Sequence, residues 1–204
     1  MGDDTAKRMG RLSLNPLMHI DRFGTIILPG LLLIGQLLTI GRVAFMFGWA
    51  KPVPVAAWRF ANPRRGMMIV AAAGPAMNFL LAWLGALALH ADAWLPVAGG
   101  DLLTRFVFYF MLYNLILGLF NLLPIPPMDG GRIAVGLLPE RAAKVWAGLE
   151  RAGILIVLLV VFLLPEMLRD LAGVQFDPVG AVLNDVLPRA MNLVLVLAGH
   201  GPHG

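Results

Sequence analysis

Cysteine is absent from the 204 residues. That excludes a disulfide framework, a thiolate metal site and a cysteine nucleophile. Charge is scarce too. Only 14% of the residues are Asp, Glu, Lys or Arg and 59% are apolar, whereas a soluble domain carries roughly 25% charged residues. Mean hydropathy is +0.79. A single water-soluble domain does not fit that balance. An all-α polytopic membrane protein built as one membrane domain does. The N-terminus lacks the apolar core of a cleavable signal peptide, because the chain opens polar with Gly2-Asp3-Asp4-Thr5-Ala6-Lys7-Arg8. Internal repeats and low-complexity tracts are also missing. A net charge of +4 and a pI near 10.1 invite a nucleic-acid reading. The basic residues, however, sit between apolar runs, as the loop charges of a membrane protein do. No interleaved aromatic and basic pattern accompanies them. No nucleic-acid partner is expected, and the lipid bilayer is.

What the chain has in abundance is apolar runs. A membrane span needs about 20 predominantly apolar residues. Five segments approach that, at 25–47, 67–89, 106–123, 152–164 and 179–198. The second, third and fourth read as spans, the fourth extendable through Met167. The first is broken by Pro29, Gly30, Gly35, Gly41 and Arg42, and the fifth by Asn184, Asp185, Pro188 and Arg189. The expectation is therefore about three to five membrane segments.

Loop charge orients them. Residues 48–66 hold Lys51, Arg59, Arg64 and Arg65 with no acid, and residues 124–151 hold Arg132, Arg141, Lys144 and Arg151. Residues 90–105 set Asp92 and Asp101 against Arg105. The positive-inside rule places the first two stretches in the cytoplasm and the third outside. Residues 1–22, with Lys7, Arg8, Arg11 and Arg22, also belong inside. The first segment then starts and ends on one side. A re-entrant or sheet-like excursion meets that demand, and its Pro and Gly breaks suit it.

The most unusual stretch is Asn121-Leu-Leu-Pro-Ile-Pro-Pro-Met-Asp129-Gly-Gly-Arg132, at the end of the third segment. Three prolines cannot continue a helix. An ionisable group beside a membrane span is costly unless it has a partner, so Asp129 is a functional candidate by default. Asp129 also reads as a helix N-cap, since Asp caps well. Asn121 reads either as a group at the substrate or as a bond to backbone freed by Pro124. Gly74, Pro75 and Asn78 read as close helix packing. Trp49 and Trp58 read as interfacial anchors. Gly48 to Val55 alternates Pro with Val and reads as an extended edge segment that could receive an unwound peptide by strand addition.

These motifs together resemble the site-2 proteases, the intramembrane zinc metalloproteases. The resemblance rests on Asn15-Pro16-x-x-His19-Ile20-Asp21, Gly48-Trp49-Ala50-Lys51-Pro52-Val53-Pro54-Val55, Asn62-Pro63-Arg64-Arg65, Ala73-Gly74-Pro75-x-x-Asn78 and residues 121–131, in that order. It covers roughly residues 2–145 and is similar to the short bacterial branch without an inserted PDZ domain. It implies a multi-pass protein of the bacterial plasma membrane that cleaves membrane-embedded protein substrates. It implies zinc as cofactor, Asp129 as a metal ligand and Asn121 as a catalytic group that holds the substrate or its oxyanion.

One family element is missing from the sequence given. The other two zinc ligands and the general base of such enzymes come from a His-Glu-x-x-His helix, whose spacing puts both imidazoles on one face. The histidines here are His19, His90, His200 and His203, none in that motif. In relatives the motif precedes a Gly-Asp-x-Thr-Ala segment, and here Gly2-Asp3-Asp4-Thr5-Ala6 follows Met1 directly. The expectation is a chain that begins just after the catalytic helix, through a late start or genuine truncation. The remaining candidates are weak substitutes. His19 reads as a hydrogen-bonded structural residue, His90 as interfacial, and His200 and His203 as parts of a glycine-rich tail. Glu140, Glu150 and Glu166 read as solvated charges.

Residues 1–178 are expected to form the protease-like membrane domain, and 179–204 an amphipathic or membrane-associated segment and tail. Two functions remain: a zinc-dependent intramembrane endopeptidase, or an inactive membrane scaffold that keeps its fold. A transporter is weaker, since no pair of broken helices in matching halves is visible.

Overall fold

A computed structural model describes residues 4–10, 13, 15–43, 46, 48, 51, 53–94 and 96–201. Trp49 and His203 lie outside the described residues, as does part of the 48–55 segment, and the side chain of His19 is likewise outside them. Among the described residues there are helices and no strand. The chain divides into two compact units, Met1–Pro63 and Arg64–Gly204.

The first unit is built around α1, Arg22–Ile40. It is π-helical over Arg22–Ile27 and α-helical over Leu28–Ile40. Asp21 starts it: its carboxylate accepts from the backbone N–H of Phe23 at 3.0 Å and of Gly24 at 2.7 Å. That satisfies two of the donors every helix N-terminus leaves open. Gly41, at φ 68°, ends it in the left-handed conformation that glycine adopts without strain. The helix thus stops short of the apolar run, which continues to Phe47. The first segment is helical, so of its two expected forms the sheet-like one finds no strand among the described residues. Asn15 caps a short turn, Pro16–His19, by accepting from Leu17 N–H at 3.0 Å. Asp4 pairs with Arg8 and with Arg59. Trp58 is 80% exposed, as an interfacial anchor would be.

The second unit contains α2 (Pro63–Ala88), α3 (Val97–Asn121), α4 (Asp129–Leu137), α5 (Glu140–Gly148), α6 (153–172) and α7 (Pro178–Leu197). Helix α3 starts well before residue 106, because Pro96 offers a preset φ at its N-cap. Pro188, expected to interrupt the fifth segment, does not end α7, and α6 runs on through Pro165 as the extension to Met167 requires. Leu159–Leu163 precedes Pro165, and Ala181–Val186 precedes Pro188, as π-helical stretches. Arg22–Ile27 precedes Pro29 in the same way. Each stretch sits just before a residue that has no N–H to give to an α-helical ladder, and the ladder changes register there.

Among the described residues, four helices are long and apolar enough to cross a membrane: Arg22–Ile40, Pro63–Asp92, Gly99–Asn121 and Pro178–Leu197. Their outer faces are oily. Leu38, Tyr113 and Leu193 are among many large side chains that are more than half exposed. Water would penalise such a surface, and lipid covers it without cost.

The core of the second unit joins α2, α3 and α7 through Ala82, Ala86, Val107, Met111, Leu187 and Val194. Small residues on α2 let α3 approach, since a Cβ on Gly85 would meet the Phe110 ring at 3.0 Å. Helix α7 is tied to α2 by polar bonds at one end. Trp83 Nε1 donates to the Leu197 carbonyl at 3.2 Å. His90 Nε2 lies 2.7 Å from the Ala198 carbonyl and His200 Nε2 lies 2.8 Å from that of Ala86. The two imidazoles stack with centroids 4.4 Å apart.

Candidate active site

Asn121 is the last residue of α3 and Asp129 the first of α4. The turn between them is compact. Ile125 N–H donates to the Leu123 carbonyl at 2.7 Å and Met128 N–H to that of Ile125 at 2.9 Å. The Pro126–Pro127 bond is cis. The two glycines after Asp129 explain how α4 folds back onto the turn. A Cβ on Gly130 would collide with the carbonyls of Leu122 and Leu123, and one on Gly131 would come within 2.9 Å of Pro126 N. A Cβ on Gly153 of α6 would likewise stand 2.7 Å from Pro127 N and 2.8 Å from the Pro126 carbonyl carbon. The ends of α3 and α4 are therefore held together without intervening side chains.

Asp129 does not cap α4. The N-cap position belongs to Met128, which makes no side-chain cap bond. Asp129 stands in the first turn instead, where the helix dipole favours a negative charge. Its carboxylate is half-buried and makes no hydrogen bond among the described residues. Burial pushes its pKa above the ordinary carboxylate value, and the Arg132 guanidinium pulls it partly back. Arg132 itself is engaged with Glu150, Nη2 to Oε1 at 2.6 Å. Asn121 is partly exposed, and its amide makes no hydrogen bond to the described residues. The alternative in which it serves only to bond backbone freed by Pro124 finds no contact here.

Two residues assigned only to loops or packing have specific roles. Gly74 of α2 faces Asp129: a Cβ there would stand 2.9 Å from Asp129 Oδ2. Arg64, in the first turn of α2, caps the far end of α4. Its Nε donates to the Val135 carbonyl at 2.8 Å and its Nη2 to that of Gly136 at 3.2 Å and to that of Leu138. Asn78, by contrast, packs as expected, its Cβ 3.4 Å from where a Cβ on Gly118 of α3 would lie. Beside the turn is an apolar cavity of about 190 Å³, lined by residues that include Leu123, Ile125, Met128, Val160 and Pro178.

Comparison with known proteins places this architecture. Residues 95–164, which contain both Asn121 and Asp129, match the model of peptidase family M50. Over 168 residues the chain is 41% identical to a protein of Bacillus subtilis (strain 168) named "Putative zinc metalloprotease YwhC", covering 80% of this chain and 70% of that protein. The chain belongs to the site-2 protease family, peptidase family M50. A second relative of the same printed description, Rip3 of Mycobacterium tuberculosis, is 35% identical over 127 residues, 60% of this chain and 29% of Rip3. No solved structure matches. As a site-2 protease with four candidate spans, the chain is a multi-pass membrane protein.

Zinc stands in the names of both relatives. The described residues do not by themselves make a site for it. Among them no group of three His, Cys, Asp or Glu side chains comes together, and a catalytic zinc takes about three protein ligands. His90 and His200 meet each other past the C-terminus of α2, whereas Asp129 faces Gly74, 16 residues before His90. Glu140 pairs with Lys144 and Glu150 with Arg132.

Proposed function

We propose that the chain belongs to a zinc-dependent intramembrane endopeptidase of the cell membrane, acting on membrane-embedded protein substrates. The observation that carries this is the paired placement of Asn121 and Asp129 at the two ends of one closed turn, with neither side chain bonded to the described residues. The Asn121 amide has donors to offer the carbonyl of a peptide bond, and a donor matters most where negative charge develops on that oxygen. The Asp129 carboxylate is a candidate metal ligand, and further donors must come from beyond the side chains described. The neighbouring apolar cavity has room for an apolar side chain of an unwound substrate segment.

A second reading, an inactive membrane scaffold, draws support from the absence of a three-donor cluster among the described residues. One experiment separates the two. The protein is purified from its native membranes and assayed for zinc content and for cleavage of a membrane-embedded reporter. The protease reading expects stoichiometric zinc and cleavage, and Asn121→Ala should retain the metal while slowing turnover roughly 10²–10³-fold. A zinc-free, inactive and folded protein supports the scaffold. Undiminished cleavage by Asp129→Asn would remove Asp129 from the ligand set.

A further inference from the structure

We propose that α2 is the positioning element for the Asp129 carboxylate: Arg64 sets how far along its axis α4 lies, and Gly74 leaves the space that the carboxylate fills. The functional weight of this rests on the protease reading, but the geometry stands without it.

The contacts run in reverse order along the two helices. Arg64 meets Val135, Gly136 and Leu138. Met68 meets Gly136, where a Cβ would be crowded out, and Gly74 meets Asp129. Helix α4 is therefore antiparallel to this part of α2. The spacings agree. At about 1.5 Å per residue, Met68 to Gly74 covers about 9 Å and Gly136 to Asp129 about 10.5 Å. One pair of ends is fixed by hydrogen bonds and the other by close fit.

The fixed end is specific to arginine. The planar guanidinium offers five donors in a rigid fork, and three carbonyls at the open C-terminus of α4 receive them. A lysine at the same place is a single point charge on a flexible stem. The close-fit end is specific to glycine. Nothing in the backbone of α2 demands glycine there, since Gly74 has ordinary helical geometry and is not among the positive-φ glycines. In a helix interior glycine costs up to about 1 kcal/mol relative to alanine. What the missing Cβ provides is the position of Asp129 Oδ2, 2.9 Å away. Asp129 is a short side chain on the first turn of α4, and a Cβ at residue 74 would drive its carboxylate to another rotamer or move α4.

The test is a double-mutant cycle on the full chain in detergent, read by thermal unfolding. In the parent, Gly74→Ala should lower the midpoint slightly, because displacing the Asp129 carboxylate outweighs the gain of up to about 1 kcal/mol that alanine brings to a helix interior. In the Asp129→Ala background the same substitution should cost nothing or raise the midpoint, because the clashing atoms are gone and alanine suits a helix better. If Gly74→Ala folds only when Asp129 is also replaced, the inference is supported. Equal losses in both backgrounds would overturn it and return Gly74 to ordinary helix packing. Under the protease reading, Gly74→Ala should lower kcat far more than it raises KM. Should proteolysis be absent while the coupling persists, the function is wrong and the positioning is right. Proteolysis without coupling means the reverse.

Discussion

Helix α2 is rich in small residues along its length, yet its two halves meet different neighbours. Toward its C-terminus, Ala82, Gly85 and Ala86 close against Val107, Phe110 and Met111 of α3. Toward its N-terminus, Gly74 faces a carboxylate and Arg64 the open end of α4. In the first case a missing side chain brings two apolar surfaces into contact. In the second it keeps a seat for a charged group. Both halves carry small residues, and the consequence of adding one methyl group differs: at Ala86 it strains the core, and at Gly74 it displaces Asp129.

The comparison breaks most readily at its charged end. Asp129→Asn should reduce cleavage by more than about 100-fold, since even outer-shell partners of a metal site cost 10–100-fold when lost. Its unfolding midpoint should stay close to the parent, because the amide keeps the shape of the side chain and only the helix-dipole contribution of about 0.3–1 kcal/mol is lost. A large drop in stability would mean that Asp129 holds the fold rather than the chemistry. At the apolar end the pattern should invert. Ala86→Leu adds bulk to a fully buried position and should cost about 1–3 kcal/mol of stability, read by thermal or denaturant unfolding in detergent. An unchanged midpoint there would show that the α2–α3 contact is loose. Arg64→Lys should give a smaller loss, about 1 kcal/mol, through carbonyls left without donors. Its effect should vanish if Arg64 only decorates the surface. The smallest perturbation concerns the first unit. Single cysteines at Ser13 and Ala57 should react with a membrane-impermeant thiol reagent from the same side. Labelling from opposite faces would make α1 an ordinary crossing.

Much of this was legible in one dimension. Apolar runs announced the long helices, although the fourth run, read as a span, is not among the four described helices long and apolar enough to cross, and the broken first and fifth are. The sequence from Asn121 to Arg132 announced the closed turn, because three prolines and two glycines leave few conformations. The ordered motifs pointed to the site-2 protease family. Other features were not legible, for identifiable reasons. Gly74 looked like a packing residue because its partner is 55 positions away and a glycine carries no sign of what occupies its space. Arg64 looked like a loop charge, since its acceptors are backbone carbonyls 71 to 74 residues on, and carbonyls have no signature in a sequence. The fifth apolar segment looked interrupted by Pro188 because a proline inside a helix ordinarily costs about 3 kcal/mol. Proline rules assume α-helical hydrogen bonding up to the proline, and the π-helical stretch Ala181–Val186 departs from it. Asp129 looked like an N-cap because sequence alone misplaces the start of α4 by about one residue, the usual uncertainty of helix boundaries.

Those π-helical stretches have a consequence for the bilayer. An all-α helix of the 19 residues Arg22–Ile40 would reach at most about 28 Å, and its π-helical opening fits more residues into each turn and so shortens it. The hydrocarbon layer is about 30 Å thick. The 30-residue run Pro63–Asp92 would reach about 45 Å and meets that thickness with length to spare. A helix that falls short of the layer must either draw the two lipid surfaces toward each other or end inside them. In both cases the polar boundary lies nearer the middle of the membrane at α1 than at α2.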